Sequence, residues 1–310
     1  MINYTYIILL NHNGSKDTCE CMASLIQLHA TNFKIIVVDN SIDTNEFEVL
    51  RDFIKSTQIP YTSFYQDEDK ELDSEQIILI KANENRGFAH GNNIALKFAI
   101  KQNNAAYFWI LNNDTIVNDL SLNELVAYHK KHPKTILGSK LLYFDNSSVI
   151  QAVGGSFNQT FYVCKHIGEG SDKDSLKDSF AKIDYPIGAS MFVSKQFIDE
   201  VGLLNEDFFL YYEELDWVYR AKVFGYAPDW CETSIVYHKE GATIGSSYKK
   251  KKSIFSEMQL FISRKKFIEK YYSLGFKFYF SSLLLILNRL RKGQLNLVKE
   301  LTKITFNDIK

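Results

Sequence analysis

The chain has 310 residues, which is enough for one large domain with an appendage or for two domains. Its 36 lysines and arginines nearly balance 37 aspartates and glutamates, so the overall charge gives no reason to expect a nucleic-acid partner. The four cysteines lack the spacing of a zinc or thioredoxin motif, which favours free thiols in a reducing compartment over disulfides.

The first third of the chain alternates apolar strands with helices. Strands are predicted at residues 6–10, 34–38, 77–80 and 106–110, and helices at about 16–29, 46–55 and 94–101. Because the strands are apolar on both faces, the pattern indicates an α/β fold with a parallel sheet and helices on each side. Residues 61–75 are acidic and irregular, and we interpret them as a surface loop.

Polar residues follow three of these strands at the point where each strand ends. The polar segments are residues 11–15, 39–41 and 112–115. Ligands bind at the carboxyl ends of the strands in an open α/β sheet, so three such segments at one edge would form a nucleotide pocket. The chain has neither a GxGxxG nor a GxxxxGK[ST] pattern, which argues against a dinucleotide dehydrogenase and a P-loop NTPase.

Asn112 and Asp114 lie one residue apart where the strand 106–110 should end. They offer hard oxygen ligands, which suit Mg²⁺ or Mn²⁺ bridging to a phosphate. The alternative is an ordinary turn, since Asn and Asp are common turn residues, and on these residues alone the turn is favoured. When the polar segments after the other strands are considered as well, a metal site becomes the preferred interpretation of Asn112 and Asp114.

The second half of the chain is less regular. A helix is predicted at 121–131, followed by strand-like segments at 136–144 and 149–161 and a charged loop at 168–179. Gly188, Ala189 and Ser190 are small residues that let a bound molecule approach the backbone, and close packing of strands is an equally good explanation of them.

Three carboxylates, Glu213, Glu214 and Asp216, follow an aromatic run. Acidic residues are favoured in the first turn of a helix, so a helix at 213–224 explains part of this charge. A carboxylate beside aromatic surface is partly desolvated, which raises its pKa and makes it a better base. His238 ends a last predicted strand, where it is either structural or a third metal ligand.

The order of these motifs resembles the family-two glycosyltransferases of the GT-A fold. The rhamnosyltransferase-like branch of bacterial cell-surface polysaccharide synthesis, which makes O-antigen or capsule, is the most similar. The matching segments are residues 37–41, 85–93, 111–115, 188–190, 212–217 and 237–241. The resemblance implies a GT-A catalytic domain at 1–245 with a mixed central sheet, divided into a Rossmann-like nucleotide-sugar-binding half at 1–118 and an acceptor-binding half at 119–245. A C-terminal helical extension follows at 246–310.

The resemblance also implies a nucleotide-sugar donor and residues that bind it. At the matching positions, Asp39 would contact the nucleotide base or ribose, and Arg86 would lie along the nucleotide. The complete predicted binding set is Asn11, Asn13, Asp39, Asn40, Arg86, Gly87, Asn113, Gly188 and Ala189.

A divalent cofactor, Mn²⁺ or Mg²⁺, and inversion at the anomeric carbon are implied in the same way. Asn112, Asp114 and His238 would hold the metal, although Asn112 replaces the usual aspartate. Glu214 would be the catalytic base, although a glutamate replaces the usual aspartate there. This second departure leaves Glu213 and Asp216 open as alternatives.

The expected function is therefore transfer of a sugar from dTDP-rhamnose or a UDP-hexose to a hydroxyl of a glycan or lipid-linked glycan acceptor. Two other functions stay open. A sugar-nucleotide-forming nucleotidyltransferase would need a glycine-rich basic phosphate loop after the first strand, of which residues 11–14 are a poor version. The third candidate is an inactive carbohydrate-binding relative.

Residues 246–310 differ in character from the rest. They combine a basic run, Lys249 to Lys252, with aromatic and leucine-rich segments at helical spacing, which predicts two or three helices. These helices either pack on the catalytic domain or form a patch that contacts an anionic membrane peripherally. No signal-peptide pattern or membrane-spanning apolar run is visible, so we expect a cytoplasmic protein, in the second case at the inner face of the cell membrane.

Overall fold

The computed structural model describes residues 3–68, 70–175, 182–239 and 253–307. The strands in these ranges are β1 (Tyr4–Asn11), β2 (Phe33–Asp39), β3 (Tyr61–Tyr65), β4 (Ile77–Lys81), β5 (Ala105–Asn112), β6 (Thr115–Val117), β7 (Thr135–Tyr143), β8 (Asn146–Ala152), β9 (Gly154–Asn158), β10 (Val163–Ile167), β11 (Ser190–Ser194) and β12 (Ala227–His238). The helices are α1 (Ser15–Ile26), α2 (Thr44–Ser56), α3 (Phe88–Lys101), α4 (Ser121–Lys131), α5 (Lys195–Val201), α6 (Glu213–Lys222), α7 (Ile254–Tyr271), α8 (Phe276–Arg291) and α9 (Leu295–Phe306). The basic run 249–252, residues 176–181 of the predicted loop and residues 240–241 of the last motif lie outside the described residues.

Ten of the described strands form one mixed sheet in the order β3-β4-β2-β1-β5-β11-β7-β12-β6, with β8 paired to β7. The strands from β3 to β5 are parallel, whereas β11 runs antiparallel to β5 and begins the second half of the sheet. The chain leaves β1 towards β2 and β4, and returns to β5 on the other side of β1. Ligands bind where the strand order reverses, so a ligand-binding crevice is expected at the carboxyl ends of β1 and β5.

The polar residues at the strand ends lie at one level of the sheet. Asn11 pairs in register with Asp39, and Asp39 pairs with Lys81. Leu10, one residue before Asn11, is level with Asn112 of β5. The structure therefore brings the predicted polar segments to the same edge.

The sheet separates two apolar cores because alternate residues of each strand point to opposite faces. On β1, Tyr6 and Ile8 belong to the core that also contains residues of α3, α5 and α6. Ile7 and Leu9 belong to the core formed with α1, α2 and α4. The central strands are thus buried on both faces, as their continuous apolar sequence indicates.

Two elements in the first third of the chain differ from the sequence prediction. Residues 61–65 form the edge strand β3 rather than a loop, because Phe64 is buried against the sheet while Tyr65 faces solvent. Helix α3 begins at Phe88 rather than near residue 94. Its first turns are polar because side chains there bond to a neighbouring loop, and polarity alone had indicated irregular structure.

The helices α7 and α8 pack on one face of the mixed sheet and its helices. Phe267 of α7 and Phe278 of α8 are buried in the core shared with α3 and α6. The buried Arg264 of α7 donates to the carbonyl oxygen of Tyr162 at 2.9 Å and to Ser282 Oγ at 2.7 Å. None of the helices in the described ranges combines the length and apolar character needed to cross a bilayer. The predicted cytoplasmic location and domain boundaries stay predictions.

Candidate active site

The floor of the crevice is a buried ion pair. Asp39 is fully buried, and its Oδ2 accepts a hydrogen bond from Lys81 Nζ at 2.6 Å. Its Oδ1 accepts from Asn11 Nδ2 at 2.8 Å and from Ser41 Oγ at 2.6 Å. A nucleotide that contacted Asp39, as predicted, would compete with these bonds. Lys81 was not singled out in the sequence, although a lysine directly after an apolar strand and level with an acid is the signal that would have found it.

The predicted binding residues Asn11 and Asn113 lie inside the same buried network. Thr18 Oγ1 donates to Asn11 Oδ1 at 2.8 Å and accepts from Asn113 Nδ2 at 2.9 Å. Glu46, on α2, accepts the backbone N–H of Ser15 at 2.8 Å at the start of α1. These bonds tie the ends of β1 and β5 to two helices, so both asparagine side chains serve the framework of the crevice in this structure.

The mouth of the crevice combines the buried Asn40 with the half-buried Asn85 and exposed residues. Asn40 Nδ2 donates to Asn85 Oδ1 at 3.0 Å, and this oxygen also accepts the backbone N–H of Gly87 at 2.9 Å. Asn40 Oδ1 is buried and has no hydrogen-bond partner among the described residues. Asn13 and Arg86 are exposed. A buried acceptor beside exposed polar groups is suited to binding a polar ligand.

Gly87 allows a close contact between this mouth and the loop before α6. Its φ is +93°, and a Cβ at this position would lie 2.2 Å from the carbonyl oxygen of Phe209. The same oxygen accepts the backbone N–H of Phe88 at 2.8 Å. A side chain at Gly87 would therefore separate α3 from the loop that leads to the acidic cluster.

Glu206 anchors that loop to α3. Its carboxylate accepts hydrogen bonds from His90 Nδ1 at 2.7 Å, Asn93 Nδ2 at 2.9 Å and Lys97 Nζ at 3.2 Å. Partial burial alone would raise the pKa of Glu206, but the bonds from Asn93, His90 and Lys97 lower it to about 2. This anchor was not predicted from the sequence. The signal that would have indicated it is the spacing of His90, Asn93 and Lys97, which places three polar side chains on one face of a helix.

Asp114 and His238 form the candidate metal site. His238 Nε2 lies 3.1 Å from Asp114 Oδ1, and its Nδ1 lies 2.8 Å from Gln151 Oε1. Since a carbonyl oxygen only accepts, Nδ1 carries a proton in this arrangement, and Nε2 is the nitrogen that faces the carboxylate. The two atoms form an ion pair when Nε2 is protonated, and an imidazole nitrogen beside a carboxylate oxygen is also a pair of ligands that suits a divalent metal.

Strand pairing places these two residues together. The end of β12 pairs antiparallel with β6, with His238 opposite Thr115. Asp114 precedes Thr115, and its carbonyl oxygen accepts the backbone N–H of Lys239 at 2.9 Å. Lys239 Nζ in turn bonds to Asp17 Oδ1 of α1 at 2.7 Å. In the described ranges, no three His, Cys, Asp or Glu side chains lie together as a metal site.

Asn112, the remaining predicted metal residue, ends β5 and is half-buried. Its backbone N–H donates to the carbonyl oxygen of Ala189 at 3.0 Å, and the Ala189 side chain is buried in the core. A Cβ at Gly188 would meet open space. Gly188 thus borders the crevice, whereas Ala189 holds β11 beside β5.

The acidic cluster divides into two parts. Asp216 is fully buried, and its Oδ1 accepts from Lys270 Nζ at 2.6 Å and from the Tyr271 hydroxyl at 2.8 Å. Its Oδ2 accepts from Arg220 Nε at 2.9 Å. Oδ1 of Asp216 therefore holds α6 to α7, while Oδ2 is engaged by Arg220 within α6.

Glu213 and Glu214 have no such cations. The Oε2 atoms of both are buried without a hydrogen-bond partner among the described residues. Burial raises the pKa of Glu214 to about 7. Burial also raises the pKa of Glu213 well above its usual value, with a contribution from the charge of Glu214. The residues before them, Tyr211 and Tyr212, have φ of 70° and 68°, a left-handed conformation that costs about 1–3 kcal/mol per residue and is typical of functional turns.

An aromatic pocket surrounds Glu214. Burial raises the pKa of Tyr185 and Tyr212, and the negative charge of Glu214 adds to both effects. The thiol of Cys164 on β10 is close enough to these two hydroxyls to influence their pKa. Glu214 itself is half-buried, so it lies at a partly open, weakly hydrated position in which a carboxylate is a stronger base.

A sequence model of glycosyl transferase family 2 matches residues 6–163, slightly more than half of the chain. The chain belongs to this family. The low-salt glycan biosynthesis hexosyltransferase Agl10 of Haloferax volcanii is 23% identical over 222 residues, which are 72% of this chain and 62% of that relative. This chain thus matches less than two thirds of the relative's length.

Solved structures show the same fold. GalNAc-T7 with UDP, GalNAc and Mn²⁺ superposes with a TM-score of 0.61 at 15% identity, over 86% of this chain and 48% of that one. The mannosyltransferase PcManGT from Pyrobaculum calidifontis, in complex with GDP-Man and Mn²⁺, superposes with a TM-score of 0.54 at 12% identity. This match covers 87% of this chain and 65% of that one. S. aureus TarS 1-349 superposes with a TM-score of 0.53 at 14% identity, over 98% of this chain and 81% of that one. The predicted family-two class and GT-A fold are confirmed, and the rhamnosyltransferase-like branch stays a prediction.

Proposed function

We propose that this family-two chain is a metal-dependent inverting glycosyltransferase. It moves a sugar from a nucleoside-diphosphate sugar, dTDP-rhamnose or a UDP-hexose, to a hydroxyl of a glycan or lipid-linked glycan. The observation that carries the proposal is the position of Glu214, a carboxylate with a pKa of about 7 in an aromatic pocket. A general base is most effective when its pKa lies near the working pH.

The acceptor hydroxyl is a poor nucleophile until its proton is removed. Glu214 takes this proton while the acceptor oxygen forms a bond to the anomeric carbon and the bond from that carbon to the diphosphate breaks. One displacement inverts the anomeric centre, so no second carboxylate nucleophile is needed. Glu213 is buried, whereas Glu214 is half-buried and so more accessible to an acceptor. The oxygens of Asp216 are occupied by Arg220, Lys270 and Tyr271.

Asp114 and His238 would hold Mn²⁺ or Mg²⁺, with Asn112 beside them at the end of β5. When bound, the metal would neutralise the charge that develops on the leaving diphosphate. Mg²⁺ is usually held by one or two carboxylates together with substrate phosphates and water, which agrees with the small number of protein ligands.

The donor would lie across the carboxyl ends of β1 and β5. Asn13 and Arg86 are exposed there, and Asn40 offers an acceptor without a partner in the described ranges. Asp39, with Lys81, supports this surface from below, and Gly188 leaves room for the sugar. Donor and acceptor would meet beside Glu214.

Release of nucleoside diphosphate tests this proposal. The full chain is incubated with dTDP-rhamnose, UDP-glucose or UDP-galactose and an acceptor glycan, with Mn²⁺ or with chelator. We expect release with at least one donor, only with metal, and loss of it in Asp114→Ala. Asp119→Ala, a change of an exposed acid, serves as the control. Full activity of Asp114→Ala in chelator, or release of pyrophosphate from a nucleoside triphosphate and a sugar phosphate, would contradict it.

A further inference from the structure

Helix α8 exposes a row of large apolar side chains. Six of its residues have exposed fractions between 41% and 82%, namely Phe276, Phe280, Leu283, Leu284, Leu287 and Leu290. A soluble surface normally carries such residues singly, and a contiguous apolar patch of this kind marks an interaction site. We call these six residues the α8 stripe.

The stripe occupies one face of a well-packed helix. At 100° per residue its six side chains fall within an arc of about 120°. The rings of Phe276 and Phe280 stack with centroids 5.7 Å apart, which places them side by side. The opposite face is buried through Phe278, Ser282 and Ile286, so the exposure of the stripe does not come from a loosely attached helix.

Positive charge accompanies the stripe. Residues 276–291 contain no acidic side chain, and Lys277, Arg291 and Lys292 are exposed next to the apolar arc. Ile254, at the start of α7, lies against residues 293–297 after α8, and Leu295 there is 66% exposed. The four lysines 249–252 precede Ile254 closely in the sequence.

We propose that the α8 stripe docks on an anionic lipid bilayer, with α8 lying in the plane of the interface. An interfacial helix buries Leu and Phe at the boundary of headgroups and acyl chains, while Lys and Arg at its sides bind anionic headgroups. A second copy of the chain fits this face less well. Antiparallel pairing of two α8 helices would place Lys277 near Arg291, and α8 has no acidic residue to offset the repulsion.

Co-flotation of the full chain with vesicles tests this surface without any sugar donor, so its outcome is separate from that of the proposed enzyme activity. Vesicles of phosphatidylcholine are compared with vesicles that also contain phosphatidylglycerol. We expect binding to the anionic vesicles that weakens as salt is raised. Leu283→Glu with Leu287→Glu should lower the partition coefficient by about tenfold or more.

A matched control adds the same charge at exposed apolar residues elsewhere. Val49→Glu on α2 with Val223→Glu, one residue after α6, changes side chains that are 40% and 82% exposed. This variant should leave the partition coefficient within about twofold of the unaltered chain. Circular dichroism verifies that each variant is folded. Replacement of Lys277, Arg291 and Lys292 by Gln should weaken binding by about fivefold for each charge removed at low salt.

Three results would overturn the proposal. The first is that the unaltered chain does not bind anionic vesicles at low salt. The second is that Leu283→Glu with Leu287→Glu loses no more binding than the control variant. The third is that this stripe variant binds as well as the unaltered chain. Sedimentation velocity of the same proteins identifies the alternative occupant. Concentration-dependent association that the stripe variant abolishes, without vesicle binding, would assign the α8 stripe to contact between copies.

Discussion

At the scale of single residues, the two glutamates at the start of α6 differ in their burial. Glu213 is buried and Glu214 is half-buried, and burial raises the pKa of Glu214 to about 7 and that of Glu213 well above its usual value. Glu214 is therefore the glutamate that is both accessible to an acceptor and able to titrate near neutral pH. The strained pair Tyr211 and Tyr212 places both glutamates at the pocket.

The pH dependence of turnover should report the titration of Glu214. Since a base acts when deprotonated, kcat/KM should rise with pH and level off above an apparent pKa of about 7. Stability should change in the opposite direction. The folded-state pKa lies above 4.5, so the folded chain binds more protons than the unfolded chain between pH about 4.5 and 7, and this group lowers stability as pH rises through that window. A flat kcat/KM between pH 5 and 8 would contradict this reading.

Gln151 is a positioning residue for His238. Because its Oε1 accepts from Nδ1, it keeps the lone pair on Nε2, where a metal would bind. Gln151→Leu should weaken Mn²⁺ affinity in the presence of a nucleoside diphosphate by about 10–100-fold, as measured by calorimetry. Gln196→Leu, on the exposed surface of α5, is the control. Equal Mn²⁺ affinity in the two variants would remove this role.

Lys81 balances the charge of Asp39 in the floor of the crevice. Lys81→Met should leave a buried carboxylate without a cation and lower the free energy of unfolding by about 3–5 kcal/mol, measured by urea denaturation. Lys55→Met breaks an exposed pair with Asp52 and should cost at most about 1 kcal/mol. A loss from Lys81→Met no greater than that of the control would show that the pair does not stabilise the fold.

At the scale of elements, α7 holds α6 in position. Tyr271 donates to the buried carboxylate of Asp216 at 2.8 Å, and Tyr272 shares a hydrogen bond with the Tyr219 hydroxyl at 2.6 Å. Hydrogen bonds to charged groups contribute more than neutral ones. Tyr271→Phe should lower the free energy of unfolding by about 1.5–3 kcal/mol, against about 0.5–1.5 kcal/mol for Tyr272→Phe. The reverse order in thermal or urea denaturation would contradict the assignment.

Helices and strands were predictable where the polarity pattern of the sequence agrees with the burial of the same residues in the fold. The strands from β1 to β5, apart from β3, follow from apolar runs between polar segments, and α4 has the predicted bounds. The start of α3 was missed because His90 and Asn93 are buried by bonds to Glu206, more than a hundred residues away. Polarity in a sequence does not distinguish a solvent-exposed loop from a helix whose polar side chains have distant partners.

At the scale of the molecule, the candidate site joins both halves of the sheet. β1 and β5 supply the crevice and Asp114, while β12 supplies His238 and the segment before β12 supplies α6. The motifs and their order could be predicted from the sequence. The hydrogen-bond partners of Asn11 and Asp39 could not be predicted, because they depend on the register of the strands. The packing of α7 on α6 could not be predicted either.

Turnover and donor affinity of Glu214→Gln test the central claim most directly. Glutamine keeps the shape of the side chain and removes the base, so turnover should fall by about 10²–10⁴. The dissociation constant of the donor should stay nearly unchanged, because Glu214 acts on the acceptor rather than the diphosphate. Activity within a few-fold of the unaltered chain in Glu214→Gln, together with an inactive Glu213→Gln or Asp216→Asn, would contradict the account and move the base to that residue.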